Sequence, residues 1–428
     1  MFLIYNIIST IASIFALPYL LAKATVRERY RFGLARKLGL VVDPGLSRLS
    51  KERPIWVHAV SVGEVMAAVP LIRRMKREHP HLKIVLSTVT ATGRKTAERN
   101  LPELDALTFF PFDLYWPIQR AIRLINPRLF ITLETELWPN LLMTLNRRGI
   151  PALLVNGRIS DSSFKGYRMF QPLFRRALSA FSYLCMQSEA DADRILAIGA
   201  DPAQVLVTGN MKYDGAWEEV GPEAGKYALH LLGLEEGARP FIAGSTHRGE
   251  EEAVLSVFLG LKEHHPDLIL VIAPRHPERF NEVANLVSSR GIKLVRRTEI
   301  DGHHGADVIL LDTIGELSRL YAGASIIFIG GSLIPFGGHN PLEAAVYGKP
   351  VLFGPHMENF RDIAEGLIKG GGAFRVASPS ELYSRASALL TDGQLLEGVG
   401  RRAEEVVKRN RGACEATMRV VNEVLNAS

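Results

Sequence analysis

The sequence predicts an α/β protein with two Rossmann-like, doubly wound domains facing a cleft, preceded by an N-terminal transmembrane helix. Three observations predict it. Apolar runs of four to six residues alternate with helical stretches along most of the chain, which is what a parallel sheet buried on both faces requires. The chain has 428 residues, 47% hydrophobic and 22% charged, too long for one ordinary core and typical of globular α/β proteins. The first 22 residues carry no charged side chain, and about 20 apolar residues suffice to cross a bilayer as a helix.

The membrane anchor is expected over 1–22, broken in its apolar run by Asn6, Ser9, Thr10 and Ser13, with Pro18 near its inner end. Residues 23–53 form a basic juxtamembrane segment, and its stretch Lys23 to Lys37 holds six basic side chains against the single acidic Glu28. Such a flank stays in the cytoplasm and attracts anionic headgroups. An interfacial helix and a cleaved signal ending near Ala22-Lys23-Ala24 are the rival readings. The first lacks a charged face and the second lacks a basic start.

The first domain is expected over 54–208. Pro54 to Val60 reads as a strand, Glu64 to Glu78 as a helix, and Lys83 to Thr88, Phe130 to Thr132 and Pro151 to Val155 as further strands. Gly, Pro and acidic residues break this rhythm over the linker region 209–238. A second domain with C-terminal helices follows over 239–428. Its strands are Pro240 to Ala243, Leu268 to Ala273, Asp307 to Leu311, Ala324 to Ile329 and Lys349 to Phe353, and the helices after Pro379 could return toward the first domain. Ligands bind at the C-terminal ends of strands in such sheets.

The polar residues at those ends are therefore the candidates. Gly330-Gly331-Ser332 leads through a glycine-rich loop to Asn340-Pro341-Leu342-Glu343. A helix opened there would present bare backbone N–H groups to an anion, with Glu343 placed to bond a ribose. Glu64, in Ser61-Val62-Gly63-Glu64, falls at the head of a helix, where it is either a general base or an offset to the helix dipole. Glu134 and Glu136 follow the next strand with alternating spacing, so only one faces the cleft easily, and Glu136 before Trp138-Pro139 is the candidate for acceptor contacts. A pair of carboxylates also suits a hydrolase. Arg158, Lys212 and Arg275 are cations in loops after apolar runs, either phosphate ligands or solvated surface. The loop Gly244 to Glu250 opens another helix and suits nucleotide or phosphate contacts.

Some chemistries find no support. Cys185 and Cys414 share no motif spacing, the twelve histidines lack metal-ligand spacing, and there is no Asp-x-Asp of the kind that holds a divalent ion against a pyrophosphate; no metal or other cofactor is expected. Nor is there a basic face with interleaved aromatics, so no nucleic acid partner is expected.

In combination, the uncharged N-terminus, Ser61-Val-Gly-Glu64, Glu134-Thr-Glu136-Leu-Trp-Pro-Asn140, Ala273-Pro-Arg-His276 and Gly330-Gly-Ser332 through Asn340-Pro-Leu-Glu343 resemble one family. It is the 3-deoxy-D-manno-octulosonic acid (Kdo) transferases of lipopolysaccharide synthesis in Gram-negative bacteria. The resemblance implies a GT-B glycosyltransferase whose first domain binds the acceptor and whose second binds the nucleotide donor. The donor would be CMP-Kdo and the acceptor the lipid A precursor, lipid IVA, at the cytoplasmic face of the inner membrane. The reaction would invert configuration with Glu64 as base. Arg275, Gly331, Ser332, Asn340 and Glu343 would form the CMP site with Lys212 nearby, and Glu136 would sit on the acceptor side. Two alternatives remain: a membrane-associated GT-B transferase using a UDP-sugar, and a non-catalytic nucleotide-binding membrane protein.

Overall fold

A computed structural model describes residues 5–15, 33–41, 43, 45–217, 223–302 and 305–427. The chain divides into two compact units, one of residues 1–215 with 411–428 and the other of residues 216–410.

The first unit is built on a seven-stranded sheet: β1 Ile55–His58, β2 Ile84–Thr88, β3 Ala106–Phe109, β4 Leu129–Leu133, β5 Ala152–Gly157, β6 Tyr183–Met186 and β7 Val205–Val207. The order is β3-β2-β1-β4-β5-β6-β7, and every pairing is parallel. All residues of β1, β2, β4 and β5 are buried, because helices cover both faces and leave no polar side to alternate with. Adjacent residues of one strand accordingly enter opposite cores. Ile55 and Val57 pack with Ala68, Leu71 and Ile72, whereas Trp56 packs with Phe130, Ile118 and Leu141.

The two helices that matter most in this unit are α1 (Val62–Glu78) and α2 (Pro139–Arg147). Trp138, the N-cap of α2, makes no side-chain cap. Asp113 supplies it from a distance: its Oδ2 accepts the Asn140 N–H at 3.0 Å and its Oδ1 the Leu141 N–H at 2.9 Å. Burial pushes this carboxyl up to about 6, while the two backbone donors and the Tyr5 hydroxyl pull the other way.

The second unit repeats the architecture with β8 Arg239–Thr246, β9 Leu268–Pro274, β10 Leu294–Arg296, β11 Val308–Leu310, β12 Ile326–Ile329, β13 Val351–Phe353 and β14 Ala373–Arg375. Its order, β10-β11-β9-β8-β12-β13-β14, is again wholly parallel. Each sheet places its first strand, β1 or β8, between the next large strand and a later one. Behind β8 comes α3 (Glu250–Lys262), and behind β12 the single turn α4 (Leu342–Ala345).

Only the last helix leaves the second unit. Helix α5 (Ala413–Ala427) buries Met418, Val421, Val424 and Leu425 in the core of the first unit beside Ala68 and Leu71. Asp214 holds its start, accepting the N–H groups of Gly412 at 2.8 Å and Cys414 at 2.7 Å. Where one domain was expected over 239–428, the apolar face of α5 thus belongs to the other core.

The expected transmembrane helix over 1–22 is not found among the described residues. Of those residues, 5–15 are helical; 1–4, 16–22 and the adjoining 23–32 lie outside the described residues. Among the described residues, no helix is long and apolar enough to cross a membrane. The Tyr5 hydroxyl donates to Asp113 Oδ2 at 2.9 Å, a protein contact rather than a lipid one, while Ile7, Ile8, Ile11, Ile14 and Phe15 are exposed.

Replacing Asp113 by Ala should leave the two α2 donors without a partner in a buried setting. The expected loss is about 2 kcal/mol, read as a lower melting temperature of the full chain. An unchanged melt would show that water satisfies α2 equally well.

Candidate active site

In the first unit, β1 ends at His58 and the chain turns through Ser61 into α1. Ser61 is an extended N-cap whose hydroxyl accepts the Glu64 N–H at 3.4 Å. Glu64 reaches back: Oε2 accepts the Val60 N–H at 2.8 Å and Oε1 the Ser61 hydroxyl at 3.0 Å. This is a reciprocal cap, with the acid three residues after the serine. The helix-start reading of Glu64 is seen in these bonds, and its carboxylate is 7% exposed at a strand end. Burial first, then the charge of Glu134 and, less, that of Glu136, push it up to about 7 against the pull of Val60 and Ser61.

Glu134 follows β4 with a φ of 54°, a left-handed conformation that costs a side-chain-bearing residue about 1–2 kcal/mol. Its N–H still bonds Val155 O at 3.1 Å. The kink ends the strand's alternation, and both Glu134 and Glu136 act on Glu64. Burial, then Glu134, push Glu136 up to about 7 as well, with the Trp138 indole working against them. Tyr167 donates to Thr135 O at 3.0 Å and the Thr135 hydroxyl to Arg158 O, fixing the segment between the two acids.

Lys212 belongs to this group. Its ammonium lies 3.1 Å from Glu134 Oε1, within the first unit, although it was expected beside the nucleotide. Asn156, also left-handed at φ 54°, brings it there by accepting the Met211 N–H at 3.0 Å. Three acids and one lysine thus share a corner at the C-terminal ends of β1, β4 and β5. One ion pair offsets only one of three negative charges, and the remaining repulsion adds to burial in raising Glu64 and Glu136.

The second unit differs from expectation in an informative way. The start of the loop after β12 does not offer bare amides: the Glu250 carboxylate accepts the N–H groups of Gly331 (2.7 Å), Ser332 (3.0 Å) and Leu333 (3.0 Å) as well as that of His247 (3.0 Å). The Ser332 side chain is committed too, donating to Ile329 O and accepting the Gly354 N–H at 2.8 Å. The helix expected at Asn340-Pro341 is one turn, with Pro341 as its N-cap, and so has little dipole to offer. Asn340 accepts the Leu342 N–H at 3.2 Å and donates to Glu343 Oε1 at 3.2 Å, so these two expected residues do meet. Arg275 emerges after β9, its N–H on Thr246 O at 3.0 Å and its side chain exposed.

Sequence reasoning gave the loop Gly244 to Glu250 backbone contacts with nucleotide or phosphate, but no side-chain role to Glu250, His247 or His339. Glu250 had a legible signal, because Gly249-Glu250 after the first strand of its sheet repeats Gly63-Glu64 after β1. The echo between the two halves lies there and not at Glu343. Among the described residues, no group of three or more His, Cys, Asp and Glu could hold a metal ion.

Comparison with known proteins agrees in family and fold. The family model for 3-deoxy-D-manno-octulosonic-acid transferase (kdotransferase) matches residues 26–215. The chain is 36% identical over 400 residues to a 3-deoxy-D-manno-octulosonic acid transferase of Haemophilus influenzae, covering 93% of this chain and 92% of that one. It is 33% identical to the enzyme of the same name from Bordetella pertussis, over 87% of each. A UDP-GlcNAc 2-epimerase from Neisseria meningitidis bound to UDP-GlcNAc superposes with a TM-score of 0.59 at 14% identity, covering 88% of this chain and 100% of that one. At that identity it shows the fold alone, GT-B-like with two parallel seven-stranded sheets.

The raised value of Glu64 has a consequence for stability. The folded state binds its proton more tightly than the unfolded chain, so stability present below pH 4.5 is lost as pH rises to about 7. Glu64→Gln removes the buried charge and keeps an acceptor for Val60. It should melt higher than wild type at pH 8, by the equivalent of about 2 kcal/mol, and like wild type at pH about 4. Equal melts at both pH values would mean that Glu64 is not raised.

Proposed function

The chain belongs to the 3-deoxy-D-manno-octulosonic acid transferase family and is a glycosyltransferase of lipopolysaccharide synthesis, and on that premise we propose that it moves Kdo from CMP-Kdo to lipid IVA with inversion. The observation that carries the mechanism is Glu64: a capped carboxylate at a strand end, raised to about 7. A base with that affinity is half available at neutral pH and still strong enough to take a proton.

In this reading an acceptor hydroxyl lies against Glu64 in the first unit. Its proton passes to the carboxylate as its oxygen forms the bond to the anomeric carbon, and the bond from that carbon to the CMP phosphate breaks. Glu136 contacts the acceptor. Lys212 neutralises Glu134 and thereby keeps Glu64 from being raised further. The second unit holds the nucleotide. Arg275 meets the phosphate, and Glu343, oriented by Asn340, meets the ribose. Gly331 and Ser332 shape the floor of the site through their bonds to Glu250, since their amides are already committed. A single phosphate can be met by a guanidinium and local dipoles without a metal. The exposed Ile7, Ile8, Ile11, Ile14 and Phe15 support attachment of the first unit to the cytoplasmic face of the inner membrane, where a lipid acceptor resides.

The test is transfer by the purified full chain in detergent, with CMP-Kdo, lipid IVA and excess EDTA, read by mass spectrometry. Wild type should add mass in Kdo units, and Glu64→Gln should lower kcat by about 10²–10⁴ while still binding CMP. Because the base acts unprotonated, the wild-type rate should fall as pH drops through about 7. Near-full turnover by Glu64→Gln would remove Glu64 as the base. CMP binding without transfer would point to another acceptor.

A further inference from the structure

Two histidines in the second unit have no part in the chemistry above. His247 follows β8 and His339 lies in the loop after β12, yet their Nε2 atoms are 2.9 Å apart. The rings are nearly parallel, at 9° with centroids 5.2 Å apart, and Phe336 lies against His247 at 3.9 Å. Both rings rest on Gly331, where a Cβ would meet His339 Cδ2 at 3.2 Å and His247 Cδ2 at 3.4 Å.

A hydrogen bond between two ring nitrogens holds one proton: one ring donates it and the other accepts. The neutral pair also carries a proton on the outer nitrogen of the accepting ring, and it can add one more, at the outer nitrogen of the donating ring. A further proton would set two N–H groups against each other. Its states are therefore neutral or singly charged.

The surroundings decide between them. The His276 ring stands edge-on to His247 with centroids 5.4 Å apart. Arg275 and Arg279, on the same segment after β9, also bear on the pair. Arg279 is paired with Glu251 at 2.6 Å. Glu250, at the head of α3, accepts the His247 N–H, but three further backbone donors share its charge. Burial first and these neighbours next hold both imidazoles down at about 4, which favours the neutral pair near neutrality.

We propose that the His247–His339 pair takes up one proton from solvent when the phosphate diester of a nucleotide-sugar binds beside Arg275, and so adds a positive charge to the site only while the anion is present. The inference rests on reading the second unit as the nucleotide site. The anion reverses the local balance of charge that kept the proton away, and the shared Nε2 bond becomes charge-assisted and stronger. No bond other than the new N–H forms, and the proton comes from water. A permanent cation there would bind anions more tightly in every state; this one is dismissed when the anion leaves.

The experiment is isothermal titration of the full chain in detergent with cytidine 5′-methyl phosphate, a diester with no proton of its own to exchange near neutrality. It is run at about pH 6.5 in PIPES and in Bis-Tris, whose ionisation heats differ. The expected result is uptake of a sizeable fraction of one proton and never more than about one, with affinity falling as pH rises. His339→Gln and His247→Asn should bind without uptake and with a flat pH dependence. Identical heats in the two buffers would overturn the proposal from wild type alone, whatever the variants do. Uptake that survives in both variants would overturn it in favour of His276. Failure of both the diester and CMP to bind would overturn the nucleotide reading itself, an outcome distinct from binding without a proton.

Discussion

A buried carboxylate that turns back onto the backbone of its own strand–helix turn decides what each unit of this protein can do. Glu64 after β1 and Glu250 after β8 each lie in the first turn of the helix that follows the first strand of its sheet. Their environments then separate them. Glu250 is fully buried and collects four backbone N–H groups, so its charge is spent on structure, and the loops after β8 and β12 are held by one residue. Glu64 collects one backbone N–H and one hydroxyl and faces two further acids. Fewer donors and more negative charge leave it wanting a proton. An acid at a helix start is saturated by backbone donors in one unit and left with a raised affinity for a proton in the other.

Around Glu64 the backbone bears a cost that ordinary packing would not call for. Glu134 and Asn156 both take left-handed conformations at strand ends, and each does something an extended residue could not. Glu134 swings its carboxylate to Lys212 while its N–H stays on the sheet. Asn156 catches the Met211 amide and so delivers Lys212. Ser245, also left-handed, sits at the register shift of β8 just before His247. Strain of this kind persists where surrounding contacts over-determine it, and here it gathers at the ends of strands where the polar groups converge.

The apolar runs were legible because a doubly covered parallel sheet leaves no polar face, and Ile55–His58, Ile84–Thr88 and Leu129–Leu133 show it in one line of sequence. Glu64 was legible because a serine three residues before an acid marks a helix start. The loop from Gly330 to Glu343 was legible as a loop but misread as a bare anion site. Nothing local says that Glu250, some eighty residues earlier, fills its amides. The pairing of Lys212 was not legible for a related reason, since its partner Glu134 is 78 residues away and the turn that joins them depends on Asn156.

The sequence by itself determined the class of the protein: alternating short strands and helices, acids and cations at strand ends, and the order of motifs that marks its family. Periodicity and capping act over a few residues, so they survive in one dimension. What only the tertiary structure decided is the use of each charge: which carboxylate is saturated, which is left basic, which cation is paired, and which two histidines share a proton. Those properties depend on the dielectric around a group and on its nearest charges. Both are set by residues distant in the chain, and the last helix crossing back to the first core is the plainest example of how far.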